Sequence, residues 1–176
     1  MRSQISLLSQ GAIGALSLVL TTFAISDDVY QDPAAFLRAT FSGEVPPPKV
    51  IWLIGAIKKD VETILGHATN ELRVRYWMNN ERSAWILEEI GKEKPITTGI
   101  VIDKGKIERI KVLIYRESRG WEVRHEFFTD QFKGAQLQDD RELDHPIDNI
   151  SGATLSVDAL TRLARMALYL NHHVAP

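Results

Sequence analysis

The sequence predicts an α+β fold in which a small antiparallel sheet packs against two amphipathic helices. Residues 96–102 and 106–115 are the clearest strands, because β-branched side chains are frequent in both. Residues 49–65 and 155–170 carry apolar side chains at intervals of three and four, which is the spacing of a helix with one buried face. Strands that are followed by a long terminal helix are typical of a sheet covered by helices.

Alternation of apolar and polar residues predicts two further strands. Residues 72–78 alternate Leu, Val and Tyr with Arg and Trp. Residues 83–90 are the second candidate, although two consecutive glutamates leave a helix as the competing interpretation. The two clearest strands are joined by Lys104 and Gly105, where glycine supplies the positive φ of a tight hairpin turn.

Proline and glycine divide the rest of the chain. Asp32 and Pro33 suit the N-cap and first position of a short helix, and three prolines at 46–48 predict a stiff extended connector. Gly66 is the expected end of the helix that precedes it. Residues 117–134 contain four aromatic side chains near two glycines, which predicts a loop and a short helix packed onto the sheet.

Composition indicates one domain of ordinary size with a short N-terminal segment. The chain has 176 residues and a formal net charge of −2, so it has no basic excess that would favour nucleic-acid binding. It contains no cysteine, which excludes a disulfide framework and a lipid anchor on cysteine. We expect residues 27–48 to form the short helix and connector that lead into the main domain.

Residues 1–26 differ in character from the rest of the chain. Arg2 is their only charged residue, and an apolar run covers residues 11–25. This run is shorter than the roughly 20 residues that a membrane-spanning helix needs. A cleaved signal peptide is therefore expected, with an uncleaved N-terminal anchor as the alternative. Either outcome places the protein outside the cytoplasmic membrane, in the periplasm or an equivalent space.

A short polar turn precedes the final helix and brings a hydroxyl group to the start of that helix. The turn follows the acidic segment 136–148, and its glycine and alanine allow a bulky ligand to approach the backbone. A helix that starts directly afterwards offers free N–H groups and the positive end of its dipole, where a phosphate is stabilised. Because many helices begin this way for capping reasons alone, these residues by themselves predict only an anion pocket.

The pattern Asp-x-x-Ser-Gly-Ala-Thr resembles the acceptor motif of the bacterial FMN-binding domain family, which includes the C subunit of the sodium-pumping NADH:quinone reductase and the G subunit of the Rnf complex. The resemblance implies that residues 49–176 form an FMN-binding domain and that Thr154 carries FMN through a phosphodiester. A separate flavin transferase that uses FAD and magnesium would attach the cofactor. The further cofactor-binding residues implied here are Asp148, Ser151, Gly152, Ala153 and Leu155.

Two looser similarities lie between the central hairpin and the acceptor motif. The family often has a Glu-x-x-Gly turn and an aromatic-plus-glycine segment in this part of its chain. The resemblance implies cofactor contacts for the residues at comparable places, which are Glu117, Gly120, Phe132 and Gly134. Candidates for the walls around the flavin ring are more often core residues than ligand contacts; they are Ile100, Trp121, Phe127, Phe128 and Phe132.

The resemblance and the N-terminal segment together predict an extracytoplasmic electron carrier, with a membrane oxidoreductase as its electron donor or acceptor. It would be a flavoprotein component rather than a self-contained enzyme, and no catalytic residue is expected. The alternative is a noncovalent ligand-binding or structural module of a membrane complex, without redox activity. No metal site is expected, because Asp144-His145 and His172-His173 lack the ligand spacing of a zinc site. A nucleophilic hydrolase is disfavoured because the chain has no Gly-x-Ser-x-Gly elbow.

Overall fold

The computed structural model describes residues 28–176, in which six antiparallel strands form one sheet with helices on both faces. The predicted signal peptide or anchor at residues 1–26 lies outside the described residues. The α+β prediction is confirmed. The strand order across the sheet is β1-β6-β5-β4-β3-β2, and the strands are β1 (Asp28–Val29), β2 (Lys49–Trp52), β3 (Arg73–Asn79), β4 (Arg82–Ile90), β5 (Pro95–Asp103) and β6 (Lys106–Tyr115).

Helix α4 (Thr154–Val174) forms the main layer on one face of the sheet. Its apolar stripe, which includes Leu160, Leu163 and Ala167, is fully buried against the strands. Helix α2 (Gly55–Leu65) packs beside it through Val61 and Ile64 in the same core. None of the helices within residues 28–176 combines the length and the hydropathy that crossing a bilayer requires.

Helix α1 (Pro33–Thr40) covers part of the opposite face. Asp32 caps it as predicted, because its Oδ1 accepts a hydrogen bond of 2.8 Å from the Ala35 N–H. The ring of Phe36 lies directly on Gly99 of β5, where a Cβ atom would come within 2.7 Å of that ring. A glycine at this position therefore lets the helix approach the sheet closely.

The hairpin of β5 and β6 is as predicted from the sequence. Lys104 and Gly105 both have positive φ, 49° and 75°, which is the pattern of a type I′ turn. The twist of that turn matches the twist of the flanking strands, so the two strands stay paired from Asp103 and Lys106 up to Thr97 and Ile114. This hairpin and β4 form the centre of the sheet.

The segment 49–65 is only partly helical, which corrects the predicted helix near 49–65. Residues Lys49–Trp52 form the edge strand β2, and the helix begins at Gly55. The proline connector before it delivers an extended chain, and Val50 and Ile51 have β-branched side chains that suit pairing with β3. The predicted end of the helix is confirmed, because Gly66 adopts the left-handed conformation of a C-cap with φ of 76°.

Strand β4 resolves the competing interpretation of residues 83–90 in favour of a strand. Its two consecutive glutamates point to opposite faces of the sheet, as the two-residue period of a strand requires. Glu88 is exposed, whereas Glu89 is buried. The Glu89 carboxylate lies 3.0 Å from His67 Nε2 and 3.6 Å from an Arg162 guanidinium nitrogen, so the buried charge has partners.

The chain between β6 and α4 is mostly irregular, as expected. Two 3₁₀ turns, Trp121–Arg124 and Asp130–Phe132, flank the one-turn helix α3 (Glu126–Thr129) and run down the edge of the sheet beside β6. The acidic segment that follows contains a single isolated bridge between Leu137 and Leu143. It returns the chain to the end of β6 at Tyr115, where α4 begins.

Candidate functional site

The polar turn before α4 is built around Gly152. The Ala153 N–H donates a hydrogen bond of 2.9 Å to the Ile150 carbonyl, which closes a four-residue turn. Gly152 occupies the third position with φ of 85°, a conformation that strongly favours glycine. A Cβ built on it would meet no atom within 4 Å, so the space above this turn is open. The turn therefore leaves room for a ligand beside the residue that begins the helix.

Thr154 is the first residue of α4, and its side chain is exposed. Its Oγ1 accepts a hydrogen bond of 3.0 Å from the Asn149 side-chain amide. The Asn149 carbonyl oxygen in turn accepts from the Ile150 N–H at 2.8 Å, which fixes the direction of the amide. This arrangement orients the hydroxyl oxygen, and within residues 28–176 no side chain accepts the proton of the hydroxyl.

Asp148 does not act as the partner of the threonine in this structure. Its backbone N–H donates to Gln131 Oε1 at 2.7 Å, and this bond holds the approach to the turn against the loop below it. The hydrogen-bonding neighbour of Thr154 is Asn149, a residue for which the sequence predicted no role. An amide cannot accept the hydroxyl proton as a base, so the site orients a nucleophile without activating it.

The N-terminus of α4 has no side-chain cap. Ala153 occupies the N-cap position, and its carbonyl accepts from the N–H groups of Ser156 and Val157. Within the described residues, the backbone N–H groups of Thr154 and Leu155 have no recorded acceptor. Unpaired N–H groups at the positive end of a helix favour an anion. These groups fit a phosphate that is attached to the neighbouring hydroxyl.

Gly120 packs against the first turn of α4, so the Glu-x-x-Gly turn lies next to the acceptor motif. It has φ of 84°, and a Cβ atom on it would lie 2.8 Å from Ser156 Oγ and 3.0 Å from the Tyr115 hydroxyl. That hydroxyl donates to the Arg119 carbonyl and also lies 2.9 Å from Ser156 Oγ. Burial raises the pKa of Tyr115 to about 12, so the hydroxyl keeps its proton.

Glu117 stabilises a loop instead of pointing at Thr154. Its Oε1 accepts hydrogen bonds from three consecutive backbone N–H groups, those of Lys92, Glu93 and Lys94, at 2.5, 2.6 and 3.0 Å. Partial burial acts to raise its pKa, but the three donors outweigh burial and lower the pKa below its ordinary value. Glu117 thus fixes the loop between β4 and β5 beside the site.

Gly134 and Phe132 are not brought to the acceptor threonine. The Gly134 N–H donates to the carbonyl of Ile107, near the start of β6. Ile107 is eight residues along the strand from Tyr115, or about 26 Å, whereas Tyr115 is the residue that touches the first turn of α4. Phe132 is fully buried and packs edge-on against Phe128 at 5.6 Å.

The candidate ring walls divide into core and surface residues. Ile100, Phe128 and Phe132 are fully buried, so they form core, whereas Trp121 is 43% exposed and Phe127 is 65% exposed. Trp121 directly follows Gly120, and Leu155, which is 49% exposed, directly precedes Ser156. Because Gly120 and Ser156 are in contact, Trp121 and Leu155 are exposed apolar residues on two touching segments close to the start of α4.

A groove of about 600 Å³ lies on the other side of the turn. Its lining includes Asn149, Asp144, Glu142 and Asp158, so it is rich in carboxylates. Such a lining disfavours an anion, and the phosphate therefore fits better at the helix N-terminus than in this groove. Among residues 28–176, no group of three His, Asp or Glu side chains converges to hold a metal ion.

Comparison with protein families agrees with the geometry of this site. The sequence model of a family described as FMN-binding domain matches residues 91–169. This segment is therefore similar to FMN-binding domains. The match covers somewhat under half of the chain and includes β5, β6, the polar turn and most of α4. Comparisons with curated proteins and with solved structures found no match to the chain. The match supports a flavin-binding protein, which is what the residues around Thr154 predict.

Proposed function

We propose that this protein is an extracytoplasmic electron carrier whose FMN is joined through a phosphodiester to Thr154 Oγ1. The observation that carries the proposal is the exposed, oriented hydroxyl on the first residue of an uncapped helix within an FMN-binding domain. Loose FMN would be lost by dilution outside the cytoplasm, whereas a covalent bond retains it. The position of Thr154 matches the acceptor threonine of the family that the motif resembles.

Attachment needs a base and a leaving group that the described residues do not supply. The new bond would join Thr154 Oγ1 to the FMN phosphorus of FAD, the phosphoanhydride of FAD would break, and AMP would leave as the hydroxyl proton is removed. Asn149 orients the oxygen but cannot take the proton. A flavin transferase with FAD and magnesium would provide the base and would stabilise the charge on the phosphates.

The residues around Thr154 fit the two halves of the cofactor differently. The free N–H groups of Thr154 and Leu155 would hold the phosphodiester, and the open space over Gly152 would admit it. The exposed side chains of Leu155 and Trp121 would offer an apolar surface to the ring. FMN supplies electron transfer when bound, and the protein supplies its position and its electrostatic environment.

Features of the sequence support the proposed location and partner of the carrier. Residues 1–26 contain one charge and an apolar run, which supports export or anchoring at the cytoplasmic membrane. A membrane oxidoreductase would then give electrons to the flavin or accept them from it. Since Thr154 lies at an exposed end of α4, such a partner could reach the cofactor without entering the fold.

The experiment is co-expression with a flavin transferase, followed by denaturation and mass spectrometry. We expect the denatured protein to stay yellow and the peptide that contains Thr154 to gain the mass of one FMN group. Thr154→Ala should abolish this gain, whereas Thr154→Ser should keep it because the hydroxyl is retained. Thr161→Ala is the matched control, since Thr161 lies two turns further along α4 and its hydroxyl donates to the Val157 carbonyl.

Two results would contradict the proposal. If denaturation releases all of the flavin, the protein binds FMN noncovalently, as in the ligand-binding module that is the alternative interpretation. If Thr154→Ala still carries one covalent FMN, another residue is the acceptor. A yellow protein whose flavin is reduced and reoxidised by a membrane fraction would support the electron-carrier role directly.

A further inference from the structure

The central sheet is forked between β3 and β4. These strands pair from the hairpin end, Asn79 with Arg82, only as far as Tyr76 with Trp85. Both strands continue beyond that point, to Arg73 and to Ile90, without pairing with each other. Over the same length, β3 stays paired with β2 and β4 stays paired with β5. The sheet is therefore divided at this end into two paired halves, β2 with β3 and β4 with β5, and a cleft lies between them.

The β3 wall of this cleft presents unpaired main-chain groups. The Leu53 N–H donates to the Leu72 carbonyl at 2.9 Å, so the main chain of Leu72 faces β2. Because N–H and C=O groups alternate in direction along a strand, those of Arg73 face the opposite way, toward β4. The ladder between β3 and β4 does not reach Arg73, and these groups are left without a strand partner.

The β4 wall is built in the same way. The Gly91 N–H donates to the Lys94 carbonyl across the β4–β5 turn, so Gly91 faces β5 and both Ile90 and Glu88 face the cleft. Side chains satisfy Ile90, since its N–H donates to Glu89 and its carbonyl accepts from Arg162. Within residues 28–176, no side chain caps the main-chain groups of Glu88 in this way, and the ladder with β3 does not reach them.

The cleft encloses about 460 Å³ and has two chemically different sides. Val74, Leu87 and Met166 contribute aliphatic surface from the face of the sheet that α4 covers. Arg73 and Arg75 line the opposite side and are exposed, and the exposed carboxylates of Glu71 and Glu88 line the same cleft. A segment that entered the cleft would therefore meet cations on one face and apolar side chains on the other.

The positive charge on the outer side is only partly neutralised by the protein itself. Arg73 lies over the ring of Trp52 at 5.7 Å, and neither Arg73 nor Arg75 makes an ion pair within the described part of the chain. The nearby Glu88 carboxylate is already engaged, because it accepts from Thr97 Oγ1 at 2.5 Å and lies 3.5 Å from Arg116. With Glu71 as the remaining carboxylate of the lining, Arg73 and Arg75 leave the outer rim with an excess of positive charge, which favours acidic side chains.

We infer that this cleft binds an extended segment of a partner protein, which inserts as an additional strand between β3 and β4. Its main chain pairs with the free groups of Arg73 and Glu88. Acidic side chains at alternate positions face Arg73 and Arg75, and the aliphatic side chains between them face Met166 and its neighbours. The inference does not depend on the flavin, so it can fail while the proposed function holds.

The probe is a synthetic peptide, acetyl-Val-Asp-Val-Asp-Val-amide, added to the isotope-labelled full chain. We expect the amide signals of Arg73 and Glu88 to shift and the hydrogen exchange of these two amides to slow at least tenfold. The matched peptide with lysine in place of aspartate, and a peptide that is N-methylated at its central valine, should each bind at least tenfold more weakly. The first control tests charge, and the second tests main-chain pairing.

A charge-reversed protein provides the complementary test. The double variant Arg73→Glu and Arg75→Glu should lose at least tenfold in affinity for the aspartate peptide and should gain affinity for the lysine peptide. Arg38→Glu, an exposed change on α1, should alter neither affinity. The gain for the lysine peptide shows that the double variant is folded and that the cleft is intact.

Three results would overturn the inference. If the amides of Arg73 and Glu88 exchange slowly without peptide, β3 and β4 are paired in solution and no cleft exists. If N-methylation and charge reversal leave peptide binding unchanged, the peptide only adsorbs to the surface. If the free protein self-associates and the double variant does not, the occupant is a second copy of this chain rather than a partner protein.

Discussion

At the scale of single residues, Asn149 orients the acceptor hydroxyl, and Gly120 sets how closely the neighbouring turn approaches. The Asn149 amide bridges Thr154 Oγ1 and the Ile150 N–H, so one side chain sets the direction of the nucleophilic oxygen. Gly120 has no side chain, which allows Ser156 and the Tyr115 hydroxyl to contact its backbone. Both residues act through geometry, and neither supplies a proton or a charge.

Asn149→Ala should slow flavin attachment with little effect on stability. The lost hydrogen bond is worth about 1 kcal/mol, which corresponds to about fivefold in the attachment rate. Because this bond is exposed, the free energy of unfolding should fall by less than about 1 kcal/mol. The measurement is FMN incorporation over time with purified transferase, with exposed Asn80→Ala as the control. Equal rates for wild type and Asn149→Ala would show that the transferase orients the hydroxyl unaided.

Gly120→Ala should destabilise the protein by about 2–4 kcal/mol, since left-handed backbone strain adds to overlap with Ser156 and Tyr115. Gly134→Ala is the matched control. Gly134 has nearly the same φ, 81° against 84°, but a Cβ atom there would meet nothing within 4 Å. The free energy of unfolding of Gly134→Ala should therefore fall by only about 1 kcal/mol. Urea unfolding measures both losses, and equal values would show that the contact with α4 adds nothing.

At the scale of elements, the segment that follows β6 contacts both the first turn of α4 and the loop between β4 and β5. The turn that contains Gly120 touches α4, and three residues before it Glu117 caps the loop between β4 and β5. Strand β6 therefore ends in a segment that positions two of its neighbours. This arrangement gives the irregular chain around the site a fixed shape without regular secondary structure.

Glu117→Gln should lower stability at neutral pH, because a neutral amide is a weaker acceptor for three N–H groups than a carboxylate; the loss should be about 1–2 kcal/mol. The pKa of Glu117 is lowered in the folded state. Its contribution is therefore complete above its ordinary value of 4.5 and is lost as the pH falls through the lowered folded value.

Urea midpoints of wild type and Glu117→Gln, measured between neutral and strongly acid pH, check this expectation. The two proteins should converge on the acid side. Glu93→Gln is the control, because that side chain lies in the same loop but is 69% exposed. A difference between wild type and Glu117→Gln that stays constant with pH would show that the loss comes from packing and not from the carboxylate charge.

At the scale of the whole molecule, a small charged cluster joins the two sides of the forked sheet. His67 follows α2 on the side of β2 and β3, Glu89 belongs to β4, and Arg162 belongs to α4. The carboxylate between the imidazole and the guanidinium group is buried. The cluster closes the fork on the face that α4 covers, which leaves the opposite face of the cleft open.

His67→Gln should reduce stability most at mildly acid pH, by about 0.5–1 kcal/mol, since the ring is half exposed. The Ala68 carbonyl and then the Glu89 carboxylate raise the pKa of His67 in spite of partial burial. The contribution is therefore complete below the ordinary value of 6.5 and is lost as the pH rises through the raised folded value.

Thermal unfolding of both proteins from pH 5 to pH 9 measures this difference. The stability difference between wild type and His67→Gln should become smaller on the alkaline side. His172→Gln, at an exposed position with no carboxylate contact among the described ion pairs, should show no such trend. A difference that grows with pH would mean that the neutral imidazole is the form that stabilises the fold.

The sequence predicted the parts of the fold that local interactions determine. The turn at Lys104 and Gly105 fixes its hairpin through its own φ angles, and Asp32 caps α1 within three residues. Strand β2 was assigned to a helix because its apolar spacing fits a helix equally well. Its true state depends on pairing with residues such as Tyr76, 27 positions after Lys49, and such distant contacts leave no local pattern.

The sequence predicted which residue types form the candidate site better than it predicted which residues contact one another there. Thr154 lies at the start of α4 beside a tight glycine turn, as the motif indicates. The bridge from Tyr115 to Ser156 joins residues 41 positions apart, so only folding reveals it. Asn149 stands inside the motif, five residues before Thr154, and this closeness in sequence is the only signal of its contact with the hydroxyl. The flavin contacts implied for Phe132 and Gly134 stay predictions that the distance along β6 does not favour.

Helix α4 sets the separation between the two ends of this molecule. It has 21 residues, so its ends lie about 30 Å apart. The hairpin turn at Lys104 and Gly105 borders the same cavity as the last residues of the helix, and Thr154 lies at the other end. A dye on a cysteine introduced at Lys104 would label a single site, because the chain has no cysteine of its own. Energy transfer from that dye to a labelled redox partner would then reveal which end of the molecule faces the partner during an encounter.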